Sequence, residues 1–169
     1  MKKMILFTLC FLILVITGCG NKFTSRDDIK YELYGKVIKV ADGDTFTLSA
    51  NKKTYKIRMY GIDAPESDQL YGRQSAKYLS TLILNKNVGI KIIDEDRYKR
   101  IVGKVYLNNE EINLKLLKDG IAWFYEYHAS NEDAYKKASE EAKRLNLGLW
   151  SDKNAINPRE FRVKYKKLK

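Results

Sequence analysis

Hydrophobic and polar residues alternate with period two over three early stretches, "YGKVIKV" (34–40), "TFTLS" (45–49) and "KTYKIRMYG" (53–61). Alternation sends successive side chains to opposite faces of a pleated strand, so these read as three strands separated by turn residues. The period changes in "AKYLSTLILNK" (76–86), where Tyr78, Leu79, Leu82 and Ile83 recur at helical spacing and Asn85-Lys86-Asn87 closes the segment. Two further strands follow, "VGIKIID" (88–94) and "RIVGKVYL" (100–107), the second ending at the turn pair Asn108-Asn109. "INLKLLKDG" (112–120) predicts a short helix stopped by Gly120, and "IAWFYEY" (121–127) is aromatic and strand-like. In the last helix Ser130 and Asp133 form a capping box, and "EDAYKKASEEAKRLNLG" runs to a Gly148 C-cap. Ala134, Ala138, Ala142 and Leu145 give it one small apolar face, and Trp150 packs back on the domain. Strands come first, then helix, strands and two helices, which is α+β order rather than an alternating parallel sheet.

The ends of the chain break this pattern. "MKKMILFTLCFLILVITGCG" opens with Lys2 and Lys3, continues as an apolar run from Met4 to Ile16 and finishes in small residues. The run is short for a spanning helix and has the layout of a secretory signal. Ile16-Thr17-Gly18-Cys19 resembles a bacterial lipobox, in which Cys19 is diacylated through its sulfur and becomes the new N-terminus. The plainer alternative is an uncut hydrophobic anchor with Cys19 incidental. The expected organisation is a signal over 1–18, the lipidated Cys19 and a polar tether over 19–33, one domain over 34–152, and a basic tail over 153–169. Such a chain stands at the outer face of the bacterial cytoplasmic membrane, held through the lipid on Cys19.

Composition narrows the chemistry. Cys10 would leave with the signal, so the mature chain keeps Cys19 alone and makes neither an internal disulfide nor a thiolate metal cluster. The formal charge is +11, and loss of residues 1–18 removes two lysines and no acid, leaving 30 basic against 21 acidic side chains. That excess suits a polyanionic partner, whether nucleic acid, anionic lipid headgroups or wall polymers. His128 is the single histidine and sits near a loop, which makes a His-liganded zinc or iron site improbable. No triad supports covalent Ser or Cys catalysis. Carboxylates and arginines remain, and carboxylates alone select a hard cation such as Ca²⁺ or Mg²⁺. Asp44, Asp63, Glu66, Arg58 and Arg100 together contain the parts that phosphodiester hydrolysis needs: cation ligands, a base to orient water, and positive charge for an anionic transition state.

Four motifs in register carry a resemblance: "DGDT" (42–45), "IRMYGIDAPE" (57–66), "YGRQSAKYL" (71–79) and "DRYKRIVGKVYL" (96–107). Together they resemble the thermonuclease, or staphylococcal-nuclease-like, family over about residues 34–152, and "NPREFR" (157–162) looks like the tail of bacterial members. The resemblance implies an OB-fold, a five-stranded barrel with three helices, that cleaves DNA and RNA with Ca²⁺ and leaves 3′-phosphate ends. It implies single-stranded or frayed substrate and a monomer with no protein partner. Asp44 and Asp63 look like Ca²⁺ carboxylates and the Ala64 carbonyl like a third ligand, which suits Pro65 because a residue before proline is held extended. Glu66 resembles the general base, Arg58 and Arg100 the pair on the scissile phosphate, and Tyr98 a tyrosine beside the terminal phosphate, with Arg97 as its neighbouring cation. Tyr125 and Tyr127 are base-stacking candidates or core and rim aromatics. Asp42-Gly43 makes the turn that aims Asp44.

Two departures stand out. Ala64 replaces a threonine, at little cost where the ligand is backbone. Lys99 replaces a glycine before Arg100; if that glycine served a positive φ, Lys99 costs about 1 kcal/mol. The alternative to a tethered Ca²⁺-dependent nuclease is a catalytically weak or silent OB-fold lipoprotein that binds nucleic acid. A surface lipoprotein for wall polymers or lipids rests on charge and anchor alone.

Overall fold

Asn51 and Lys52, at φ 51° and 60°, turn one strand directly into the next and set the register of that pair, Ala50 opposite Lys53. Two consecutive residues of positive φ make the tight hairpin whose twist matches that of its strands. The computed structural model describes residues 29–165, so the expected signal, Cys19 and most of the expected tether lie outside the described residues. Strands β1 (Leu33–Val40), β2 (Thr45–Ala50) and β3 (Lys53–Met59) form an antiparallel meander. Their alternation is the one expected from sequence, with Val37, Phe46, Leu48, Ile57 and Met59 inward and buried. After the two-residue β4 (Ile62–Asp63), helix α1 (Gly72–Ile83) crosses to β5 (Asn87–Glu95), which pairs antiparallel with β1 and with β6 (Ile101–Leu107). β6 then runs parallel to β3, Ile57 opposite Ile101, and closes a five-stranded OB-type barrel. Closure leaves those strands no long free edge.

Beyond β6 come β7 (Glu110–Glu111), α2 (Ile112–Lys118), β8 (Trp123–Phe124), α3 (Glu126–Ala129), α4 (Asp133–Arg144), a 3-10 turn (Gly148–Ser151) and α5 (Pro158–Tyr165). α2 ends as expected at Gly120, whose φ of +65° suits a residue without a Cβ. Asn113, fully buried on α2, accepts from the Val105 amide at 2.9 Å and donates to the carbonyls of Tyr60 (2.8 Å) and Gly103 (3.2 Å). One side chain thus ties α2 to the two strands that close the barrel.

Several expectations are corrected. Five helices and a 3-10 turn are present among the described residues instead of three helices. "IAWFYEY" is strand only at Trp123–Phe124, paired with β4, and turns helical at Glu126. The Ser130 capping box does not form: α4 starts at Asp133 with no side-chain cap. It ends at Arg144 rather than near Gly148, because Asn146 takes φ 53° and turns the chain there. Its buried face is Tyr135, Ala138, Ser139 and Ala142, whereas Ala134 and Leu145 are exposed. The face is rotated toward the large Tyr135 ring, which buries far more apolar area than Ala134. Trp150 does pack back, its ring 4.2 Å from that of Trp123. The expected basic tail also carries a helix, α5: Asn157 accepts the Arg159 amide at 2.9 Å as an N-cap, and Pro158 takes the first helical position.

Candidate active site

Asp44 enters the site from the loop before β2. Asp42 Oδ1 accepts the Asp44 amide at 3.0 Å, an Asx turn that points the next side chain inward. Gly43 serves this loop by size and not by a positive φ: a Cβ there would lie 2.0 Å from Ser75 Oγ and 2.6 Å from Ala64 Cβ. Asp44 itself is 6% exposed and accepts from Thr45 Oγ1 at 3.0 Å and from the Ala64 amide at 2.8 Å. The last bond fastens the Ala64 peptide beside the carboxylate. Asp63 arrives from β4, 2% exposed, where pairing with Trp123 on β8 fixes the backbone.

Arg58 joins the two. It projects from β3, held between Thr45 of β2 and Val102 of β6, with its Nη1 2.5 Å from Asp44 Oδ2 and its Nη2 3.0 Å from Asp63 Oδ1. Burial raises the pKa of Asp63, opposed by the hydrogen bond from Arg162 and the charge of Arg58. Asp42 is pushed up to about 6 by burial and by the charge of Asp44. Glu66 lies three residues past Asp63, in a loop braced by Gln69, whose Oε1 accepts the Glu66 amide at 3.1 Å.

Sequence reasoning passed over two residues of this site. Arg162, on α5, donates from Nη2 to Asp63 Oδ2 at 2.7 Å and from Nη1 to Glu66 Oε1 at 2.8 Å and Asp63 Oδ1 at 3.2 Å. Gln69, 8% exposed, spans the gap between the Glu66 loop and the C-terminal segment by donating to the Ile156 carbonyl at 2.5 Å. Both escaped because their partners lie 96 and 87 residues away in sequence. The Asn157-Pro158 pair was the available signal, since it marks a helix start and hence a packed element where a free tail was expected.

Arg100 is placed differently. It precedes Ile101 on the strand that pairs beside Arg58, but its Nε is held by Asp96 Oδ2 at 2.7 Å. Asp96 also takes the amides of Tyr98 (2.9 Å) and Arg100 (3.0 Å) on its other oxygen. Burial would raise its pKa, yet the Arg100 and Tyr98 amides and the Arg100 guanidinium hold it below the usual carboxylate range. Lys99 has φ 62°, the strained left-handed region, inside this tightly bonded loop. Arg97 and Tyr98 cluster there too, Nη2 donating to the hydroxyl at 2.9 Å, with Tyr98 64% exposed. Tyr125 and Tyr127 sit together with His128 near the start of α3, ring centroids 4.9–6.4 Å apart; Tyr127 is 73% exposed and so belongs to the rim, not the core.

The donor set around Arg58 fits a hard divalent cation. It consists of oxygens: two nearly buried carboxylates facing one guanidinium, with the Ala64 peptide fastened against one of them. Among the described residues these acids are bridged by guanidinium groups, and no three Asp, Glu, His or Cys side chains are gathered as a ready cage. Open positions would therefore be completed by water or by substrate oxygen.

A family model described as staphylococcal nuclease homologue matches residues 56–152. The chain is 37% identical over 163 residues to an uncharacterized endonuclease of Haemophilus influenzae, covering 95% of this chain and 85% of that protein. A micrococcal nuclease of Shigella flexneri is 36% identical over 138 residues, 76% of this chain and 79% of that one. A probable staphylococcal-like nuclease of Oryza sativa subsp. japonica is 37% identical over 139 residues, which is 82% of this chain and 34% of the plant protein.

Proposed function

The chain belongs to the staphylococcal nuclease homologue family, and from that premise we propose that it is a Ca²⁺-dependent phosphodiesterase, an endo/exonuclease acting on DNA and RNA with 3′-phosphate products. The observation that carries the reading is the convergence of buried Asp44 and Asp63 on Arg58, with Glu66 three residues on. Asp44, Asp63 and the Ala64 carbonyl would hold the cation, which when bound supplies positive charge at a non-bridging phosphate oxygen. Glu66 takes the proton of the attacking water and, with its loop braced by Gln69, aims that water at phosphorus. Arg58 and Arg100 bind the phosphate and strengthen their hold as charge builds on it. Tyr98 and Arg97 sit beside the terminal phosphate, and the exposed Tyr127 ring, with Tyr125 beside it, stacks on bases. Backbone charge and stacking carry little sequence information, so selectivity is mild, single strands or frayed ends are preferred and binding weakens with salt. The protein acts as a monomer outside the cell, anchored to the membrane through a lipid on Cys19.

The test is cleavage of single-stranded DNA by the purified full chain with Ca²⁺ and with EGTA, beside Glu66→Gln. Cutting that needs Ca²⁺ and falls about 10²–10⁴-fold in the variant supports both the activity and its base. Salt-sensitive binding without cutting in either protein replaces this reading with the silent nucleic-acid binder.

A further inference from the structure

Both oxygens of the Asp63 carboxylate are already taken by guanidinium groups. Oδ1 accepts from Arg58 at 3.0 Å and Arg162 at 3.2 Å, and Oδ2 accepts from Arg162 at 2.7 Å. With the Asp63 side chain 3% exposed, an incoming cation reaches it only by displacing one of the two arginines. Arg58 is the harder to move, because its strand is paired on both sides and its Nη1 is also held by Asp44. Arg162 stands on the short last helix, its side chain 33% exposed. Among the described residues, that segment meets the domain through the Gln69 bond to Ile156, buried Pro158 and Arg159 lying 5.6 Å over the Tyr127 ring.

We propose that Arg162 is the site's resident counter-cation and that α5 is an autoinhibitory latch, so that Arg162 and a divalent cation exclude each other at Asp63. The inference rests on the reading of Asp44 and Asp63 as the Ca²⁺ ligands. Exclusion follows from the occupied oxygens: Asp63 has no acceptor position left for a cation while Arg58 and Arg162 both hold it. Exchange also breaks the 2.8 Å bond between Arg162 and Glu66. Because Arg159 lies over Tyr127, undocking α5 also removes this cation–π contact.

The test is calorimetric titration of the full chain with CaCl₂, for the natural sequence, Arg162→Gln and Arg162→Lys, with hydrogen exchange of residues 156–165 followed by mass spectrometry. Arg162→Gln should bind Ca²⁺ roughly tenfold more tightly, with Arg162→Lys between, since a partly exposed ion pair is lost as competitor. In the natural chain Ca²⁺ should speed exchange in α5, and in Arg162→Gln that segment should exchange fast from the outset. Ca²⁺ binding that is equal or weaker in the Gln variant, or α5 exchange slowed by Ca²⁺, overturns the latch and leaves the Ca²⁺ reading standing. Absence of Ca²⁺ binding in all three proteins overturns that reading and the latch together.

Discussion

Two regions of this molecule gather acidic side chains under cover, and they settle the charge in opposite ways. Beside β7, Glu111 accepts hydroxyls from Tyr106, at 3.1 Å, and from Tyr135, while Lys104 reaches Glu132 at 2.7 Å and lies 5.2 Å over the Tyr135 ring. Burial and then the Glu111 charge raise the pKa of both tyrosines, so each stays a donor. Around Arg58, by contrast, Asp44 and Asp63 are answered largely by guanidinium charge from two distant elements. In the first group neutral hydroxyls satisfy Glu111, and a single lysine answers Glu132. The second is held by full charges whose removal leaves a strong appetite for another cation. Buried acid clusters therefore differ by what answers them, and only the second kind looks built for a ligand.

The largest break in this contrast is Arg58→Gln. It removes the guanidinium shared by two nearly buried carboxylates and should cost about 3–5 kcal/mol in urea unfolding without Ca²⁺, with part of that recovered on adding the ion. A small loss that Ca²⁺ does not alter would place the two regions in one class. Tyr135→Phe is the counterpart beside β7, expected to cost about 1.5–3 kcal/mol by removing a donor to a charged group. Nuclease activity should persist, and a matching loss of cleavage would show that the regions are coupled.

Asp42→Asn sharpens the comparison through pH. With its pKa raised to about 6, Asp42 contributes stability that is full below its ordinary 3.8 and is lost as pH rises through 6. The amide keeps the Oδ1 acceptor for Asp44 without the charge, so the Ca²⁺-free variant should be about 1–2 kcal/mol more stable at pH 7. Unfolding curves at pH 4 should nearly coincide; a gain unchanged between the two pH values would rule out the buried charge as its source. Lys99→Gly should give the smallest effect, up to about 1 kcal/mol of added stability from relief of the left-handed backbone. An equal or lower urea midpoint would show that the Asp96 bonds already absorb the strain.

The barrel was legible because its strands follow a local rule. Phe46, Leu48, Ile57 and Met59 fall on one face by simple alternation, and the same positions are buried. The α4 face was misread for a related reason: small alanines give weak periodicity, and Tyr135 outweighs them once a surface exists to pack on. At the site, Asp44, Arg58, Asp63 and Glu66 lie within 23 residues and two motifs, close enough for sequence to name them together. Arg100 was named with them, yet its guanidinium is held by Asp96, four residues away. Sequence shows that an arginine is near a strand end and leaves open which of several carboxylates it meets.

The sequence by itself determined the five barrel strands and the helix between the third and fourth of them, the hard-oxygen character of the site and the basic excess, since each depends on residue type and short spacing. Only the tertiary structure decided that α5 returns across the barrel, that Gln69 fastens it and that Arg162 closes on Asp63 and Glu66. Those contacts join segments 87 to 99 residues apart. Such long loops close only when the whole core pays their entropy at once, and no local pattern in the chain records where they land.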